Sequence, residues 1–142
     1  MVELAFTLTD QPDAGDLAGL GEQLAMFNEA DVGPSGRQTL VIFVHDAETL
    51  VAGLSGYTAW NWLYVQWLWI AQGQRGQGLA GRLLAQAEAE ARRRGCDGAY
   101  IDTFSPQALH VYQKAGYTVF GALADFPPGH TRSFLSKALV KG

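Results

Sequence analysis

One cysteine, Cys96, is the whole thiol inventory of 142 residues. That excludes a disulfide framework within the chain and a zinc site built from cysteines, and it points to a reducing, cytoplasmic setting. Cys96 itself follows a helix end and reads as a small residue at the edge of a core. No uninterrupted apolar run reaches the roughly 18 residues of a membrane helix. Residues 1–20 lack the basic segment followed by an apolar run that marks a signal peptide. Neither membrane nor export is therefore expected. Positive charge is also scarce: ten Lys and Arg stand against fourteen Asp and Glu, a net charge of −4. Dedicated nucleic-acid binders are usually basic, so nucleic acid is not an expected partner. Repeats and low-complexity tracts are missing too. What remains is 48% hydrophobic, enough for one domain with one core over residues 1–142.

Residues 62–95, WLYVQWLWIAQGQRGQGLAGRLLAQAEAEARRRG, organise the rest. Residues 63–70 are apolar and aromatic almost without break, as in a strand buried on both faces. A polar, glycine-rich turn follows over residues 72–78. From Leu79 the spacing becomes helical, with Leu79, Leu83, Leu84, Ala87 and Ala91 on one face. Glu88 with Arg92 and Glu90 with Arg94 are i,i+4 pairs, and Gly95 stops the helix. The run Arg92-Arg93-Arg94 reads as a solvated helix end. The helix N-terminus offers unpaired N–H groups and the positive end of a dipole. Gly76 and Gly78 remove side chains that would keep a ligand away, and Arg75 adds a positive charge. Together they make a pyrophosphate cradle. A turn whose glycines merely relieve strain is the simpler alternative. Two ligands fit the cradle. Gly76-x-Gly78-x-x-Gly81, with Asp97 or Asp102 roughly 20 residues on, satisfies a dinucleotide fingerprint. Residues 75–80, Arg-Gly-Gln-Gly-Leu-Ala, satisfy a coenzyme A signature, [Q/R]-x-x-G-x-[G/A].

The order of elements separates these readings. Residues 2–9 alternate loosely and read as a first strand. Pro12 and Asp13 open a helix whose buried face is marked by Leu17, Leu20, Leu24 and Phe27. Gly33-Pro34-Ser35-Gly36 ends it. Residues 39–45 and 50–59 form a hairpin, and Trp60-Asn61 turns into the strand at 63–70. Residues 98–104 form a further strand, Ser105 and Pro106 start a helix over 106–115, and strands follow at 117–123 and 132–140. The fold expected is α/β with a mixed sheet, in the order β-α-β-β-β-α-β-α-β-β. Its central β-α-β unit is a right-handed parallel crossover. A dinucleotide domain places its glycine fingerprint on the first strand; here the turn comes half-way along the chain.

Motif and order together resemble the GCN5-related N-acetyltransferase (GNAT) superfamily over essentially the whole chain. Three segments carry the resemblance: residues 75–80, residues 102–105 (Asp-Thr-Phe-Ser), and residues 112–117 (Tyr-Gln-Lys-Ala-Gly-Tyr), which look like the family's Y-x-K-x-G-[F/Y]. The resemblance implies two central parallel strands that splay at their C-terminal ends. The pantetheine arm of acetyl-CoA would enter the gap and pair with backbone at Leu68, Trp69 and Ile70. The pyrophosphate would sit near Arg75, Gly76, Gln77, Gly78, Leu79, Ala80 and Gly81. No metal is expected.

The implied reaction is direct acyl transfer from a thioester to the amine of a small molecule or peptide. Tyr112 is the acid candidate for the departing thiolate and a contact to the cofactor; a core tyrosine is the alternative. Ser105 stands where many members place an asparagine against the pantetheine, and it also suits an N-cap. Many members carry a glutamate base on the strand before the turn; this chain has Gln66, which cannot take a proton. Asp102 and His130 are the catalytic candidates that remain on this side of the problem, with His110 and Asp125 behind them. Trp67 and Trp69 are expected on one face of their strand, and Trp62, Tyr64, Gln66, Leu68 and Ile70 on the other. One of those faces could floor an acceptor pocket or a homodimer contact. A CoA-binding module without turnover is the second reading, motivated by Gln66, and a nicotinamide-dinucleotide binder is the third.

Overall fold

A computed structural model of the chain describes residues 3–140. The chain divides into two compact units, one ending at Ser35 and the other beginning at Gly36.

The first unit holds one helix, α1 (Ala14–Val32). Asp13 caps it, its carboxylate accepting the Asp16 N–H at 3.0 Å, and Gly33 at φ 91° closes it. Within this unit Leu17, Leu20, Leu24 and Phe27, the face expected to be buried, find no cover. Residues 3–9 form no strand, and Leu4, Phe6 and Leu8 are exposed; Val2 lies outside the described residues. Spacing reports only which side a segment would bury. A strand also needs a neighbouring edge to take its hydrogen bonds, and residues 3–9 join no ladder.

The second unit is a six-stranded mixed sheet with two helices, so among the described residues the strands number six where seven were expected. β1 (Gln38–Asp46), β2 (Thr49–Ala59) and β3 (Trp62–Ile70) form an antiparallel meander. The turn at Trp60 and Asn61 has positive φ at both residues, 46° and 63°, matching the twist of a tight hairpin. A short 3₁₀ turn (Gln72–Gln74) leads to α2 (Leu79–Arg93), then β4 (Gly98–Thr103), α3 (Pro106–Lys114), β5 (Thr118–Leu123) and β6 (Arg132–Ala138). The sheet order is β1-β2-β3-β4-β6-β5. Among the described residues only β3 and β4 run parallel.

The core forms where α2 lies across the sheet. Leu83, Leu84, Ala87 and Ala91 meet Leu40, Ala52, Leu54, Leu63 and Val65, all buried. Cys96, expected at the edge of a core, is a buried member of this cluster. The arginine run is not uniformly solvated. Arg93 is open to solvent, but the Arg94 guanidinium reaches the Gln38 and Thr39 carbonyls and the Thr58 hydroxyl, which ties the last turn of α2 to β1 and β2.

One irregularity shapes everything that follows. Gly56 pairs with Val65 and Ser55 with Trp67, leaving Gln66 as the extra residue of a β-bulge in β3. A bulge reverses alternation beyond it. Leu63, Val65, Leu68 and Ile70 therefore share the core side, while Tyr64, Trp67 and Trp69 share the other. The expected grouping of Leu68 and Ile70 with Tyr64 is corrected by that one residue. The parallel ladder of β3 with β4 ends at the same place: four pairs run from Trp62–Gly98 to Val65–Ile101 and then stop. Beyond it β3 continues to Ile70, bonded on its β2 side alone.

Candidate active site

The parting strands open a cleft of about 810 Å³. One wall is the free edge of β3 from Gln66 to Ile70, another is the end of β4 with Asp102, Thr103 and Phe104, and a third is α3 with Ala108, Val111 and Tyr112. Its far end is the glycine turn, where Arg75, Gly76, Gly78, Leu79, Ala80 and Gly81 line it. Of the residues expected at the site, Leu68, Trp69, Ile70, Asp102, Ser105 and Tyr112 also meet in this cleft. Gln77 and His130 are not among the lining residues.

The turn derives its shape from glycine. Gly76 and Gly78 sit at φ 78° and 75°, a left-handed conformation that side chains resist. Gly78 is the N-cap of α2 and brings no side-chain cap, so the first N–H groups of the helix are left for an anion. The Arg75 guanidinium folds back onto the Ile70 carbonyl at 3.0 Å, which holds the turn against the end of β3. Gly81 differs from the other two. A Cβ there would meet nothing within 4 Å, so it is not needed for close helix–strand packing, the part a third glycine plays in a dinucleotide fingerprint.

Tyr112 is 6% exposed. Its phenol is pushed up to about 12, first by burial and then by the Asp102 carboxylate, so it stays protonated at neutral pH. Asp102 accepts from the Tyr64 hydroxyl at 3.2 Å and pairs with the Arg132 guanidinium at 3.6 Å. Tyr64 is itself raised by burial and by Asp102. The Arg132 guanidinium stacks over Phe126 at 4.1 Å and Phe104 at 5.2 Å. His130 lies edge-on to Phe104 with ring centroids 6.2 Å apart and is exposed. Ser105 caps α3, its hydroxyl accepting the Ala108 N–H at 3.2 Å, and still lines the cleft. Gln66 lines the cleft from the bulge itself. Arg132 is the charged cleft residue beside Asp102 that sequence reading did not place at the site; its partner is thirty positions away. Among the described residues no group of His, Cys, Asp and Glu could hold a metal ion. No helix among them is long and apolar enough to cross a membrane.

The family model for the acetyltransferase (GNAT) family matches residues 9–117. The chain belongs to the GNAT acetyltransferases. It is 43% identical over 133 residues to an acetyltransferase of Agrobacterium fabrum, Atu2258, covering 93% of this chain and 97% of the relative. A blasticidin-S acetyltransferase of Streptomyces morookaense is 45% identical over 91 residues, 63% of this chain and 67% of that protein. A crystal structure from Agrobacterium tumefaciens, assigned as an acetyltransferase, superposes with a TM-score of 0.90 at 42% identity, covering 95% of this chain and 99% of the other. The GNAT chain described here is thus a transferase enzyme of α/β architecture, and the acetyltransferases of this family use acetyl-CoA.

Proposed function

We propose that this GNAT enzyme moves the acetyl group of acetyl-CoA to an amine of a small molecule by direct attack, within the cleft between β3 and β4. The observation that carries the reading is the free edge of β3 running from the bulge at Gln66 into the left-handed glycine turn. An extended amide chain can add to such an edge as a short strand, and its pyrophosphate then reaches the N-terminus of α2. The small-molecule acceptor is supported by the blasticidin-S acetyltransferase among the relatives.

The acceptor must lose a proton to react, since an alkyl amine with pKa near ~10 is mostly ammonium at neutral pH. Asp102, the carboxylate on the cleft wall, takes that proton directly or through one water. Gln66 cannot take a proton; its amide orients the amine. The amine nitrogen forms a bond to the thioester carbonyl carbon, backbone N–H groups on the free edge of β3 stabilise the oxygen charge that develops, and the carbon–sulfur bond breaks. The phenol of Tyr112 gives its proton to the departing thiolate and regains one from solvent. Burial and the Asp102 carboxylate keep that proton on the phenol at neutral pH until the thiolate departs. Phe104, backed by His130 and Arg132, and the exposed Trp67 bound the acceptor end.

The test is release of free CoA from acetyl-CoA against a panel of small amines. The parent is expected to turn over at least one amine, and Tyr112→Phe to lower kcat by tenfold or more, within the range of general acid catalysis. A full rate in Tyr112→Phe would remove the acid from Tyr112; binding of acetyl-CoA with no turnover across the panel would count against an amine acceptor.

A further inference from the structure

Glu88 has no part in the chemistry above, yet it is a carboxylate 3% exposed in the middle of α2. Such a group is retained in a core only with partners, and its partners are informative. Oε1 accepts from Lys137 Nζ at 2.7 Å and Oε2 from the Tyr117 hydroxyl at 2.9 Å. Arg92 makes the expected i,i+4 ion pair with it at a longer 3.9 Å. Both close partners lead to α3. Lys137 Nζ also donates to the Ala115 carbonyl at 2.8 Å, the C-cap of α3. The Tyr117 N–H donates to the Tyr112 carbonyl at 3.0 Å, and the two rings lie 6.5 Å apart. Gly116 between them is at φ 101°, and a Cβ there would press on the Lys137 side chain at 3.3 Å. The segment Lys114-Ala115-Gly116-Tyr117 is therefore a clasp closed on Glu88.

The helix that carries Glu88 also carries the glycine turn at its N-terminus, nine residues and about 13 Å away at 1.5 Å per residue. A straight helix is stiff over that distance. Glu88 therefore links the two walls on which the reaction depends, the one holding the cofactor's phosphates and the one holding the acid. We propose that Glu88 is a positioning residue for Tyr112: through Tyr117 and Lys137 it fixes the last turn of α3, and with it the phenol, relative to the cradle on α2. The inference rests on the reading of Tyr112 as the acid.

The test is a double-mutant cycle on the full chain, with Glu88→Gln, Tyr112→Phe and the two combined. Glutamine keeps an acceptor for Tyr117 and loses the charge that holds Lys137. Glu88→Gln alone is expected to lower kcat roughly tenfold, a part of what an acid supplies, with the KM for acetyl-CoA within about twofold of the parent. In the Tyr112→Phe background the same substitution is expected to lower kcat by less than about twofold, because no acid is left to misplace. Groups that act through one another are non-additive in this way. An equal fold-loss in both backgrounds, or an unchanged kcat in Glu88→Gln, would overturn the proposal while leaving Tyr112 as the acid. An unchanged kcat in Tyr112→Phe would instead overturn the acid and the proposal together. If Glu88→Gln does not fold, Tyr117→Phe, which removes only the donor hydroxyl, goes through the same cycle with the same criteria.

Discussion

A Cβ placed on Gly56 would come within 1.9 Å of the Tyr64 carbonyl oxygen. That contact can be relieved only by moving backbone, and the backbone concerned is the bulge that turns β3 aside from β4. Gly56→Ala is accordingly expected to destabilise the fold by on the order of 3 kcal/mol, as severe overpacking does, and to weaken acetyl-CoA binding as well. Urea unfolding with a parallel binding titration checks both; a stable variant with parental affinity would mean that the bulge tolerates displacement. Nothing in the sequence marks Gly56, since it sits in an unremarkable alternating strand and its partner belongs to the next one. Glu88 was half-legible. It follows Leu84 by four residues and so falls on the buried face, but Tyr117 and Lys137 lie 29 and 49 positions further on. That Tyr112 lines the cleft was legible because its neighbours Lys114, Gly116 and Tyr117 are close in sequence.

Among the elements, α1 and α2 were both legible in their bounds, α1 from Asp13 and Gly33 and α2 from the glycine turn and Gly95. The buried face of α2 was legible too, since Leu83, Leu84, Ala87 and Ala91 find a sheet face of small and branched residues. The N-terminal turn of α2 offers a clean test of the cradle, because Gly81 is helical with open space around it. Gly81→Glu removes a poor helix former and adds a carboxylate to the first turn, where the dipole favours it. The variant is expected to melt at or above the parental temperature. The same carboxylate repels a pyrophosphate, so its affinity for acetyl-CoA is expected to fall at least tenfold. Calorimetric titration and thermal melts on one preparation decide it: undiminished affinity in the stable variant would place the phosphates elsewhere.

For the molecule as a whole, the tyrosines set a ceiling in pH. Burial raises the phenols of Tyr112, to about 12, and of Tyr64, Tyr100 and Tyr117 above their ordinary value of 10.0. A raised folded-state pKa means that the fold prefers the protonated form. The stability this confers is complete below pH 10 and is lost as pH climbs through the folded values. The melting temperature is therefore expected to be indifferent to these groups up to about pH 10 and to drop steeply between there and about pH 12. Unfolding should coincide with the rise of tyrosinate absorbance. Tyrosinate appearing well before unfolding would show the phenols to be freely titrating. The order of elements around the parallel pair was legible because each has its own turn and cap residues. One consequence belongs to the sheet as a body. It consists of two three-stranded leaves, β1-β2-β3 and β4-β6-β5, stitched along a spine of four residue pairs. Under the proposed function the cofactor lies in the opening beyond that spine as a short strand added to the β3 leaf, so the ligand becomes part of the page it is read from.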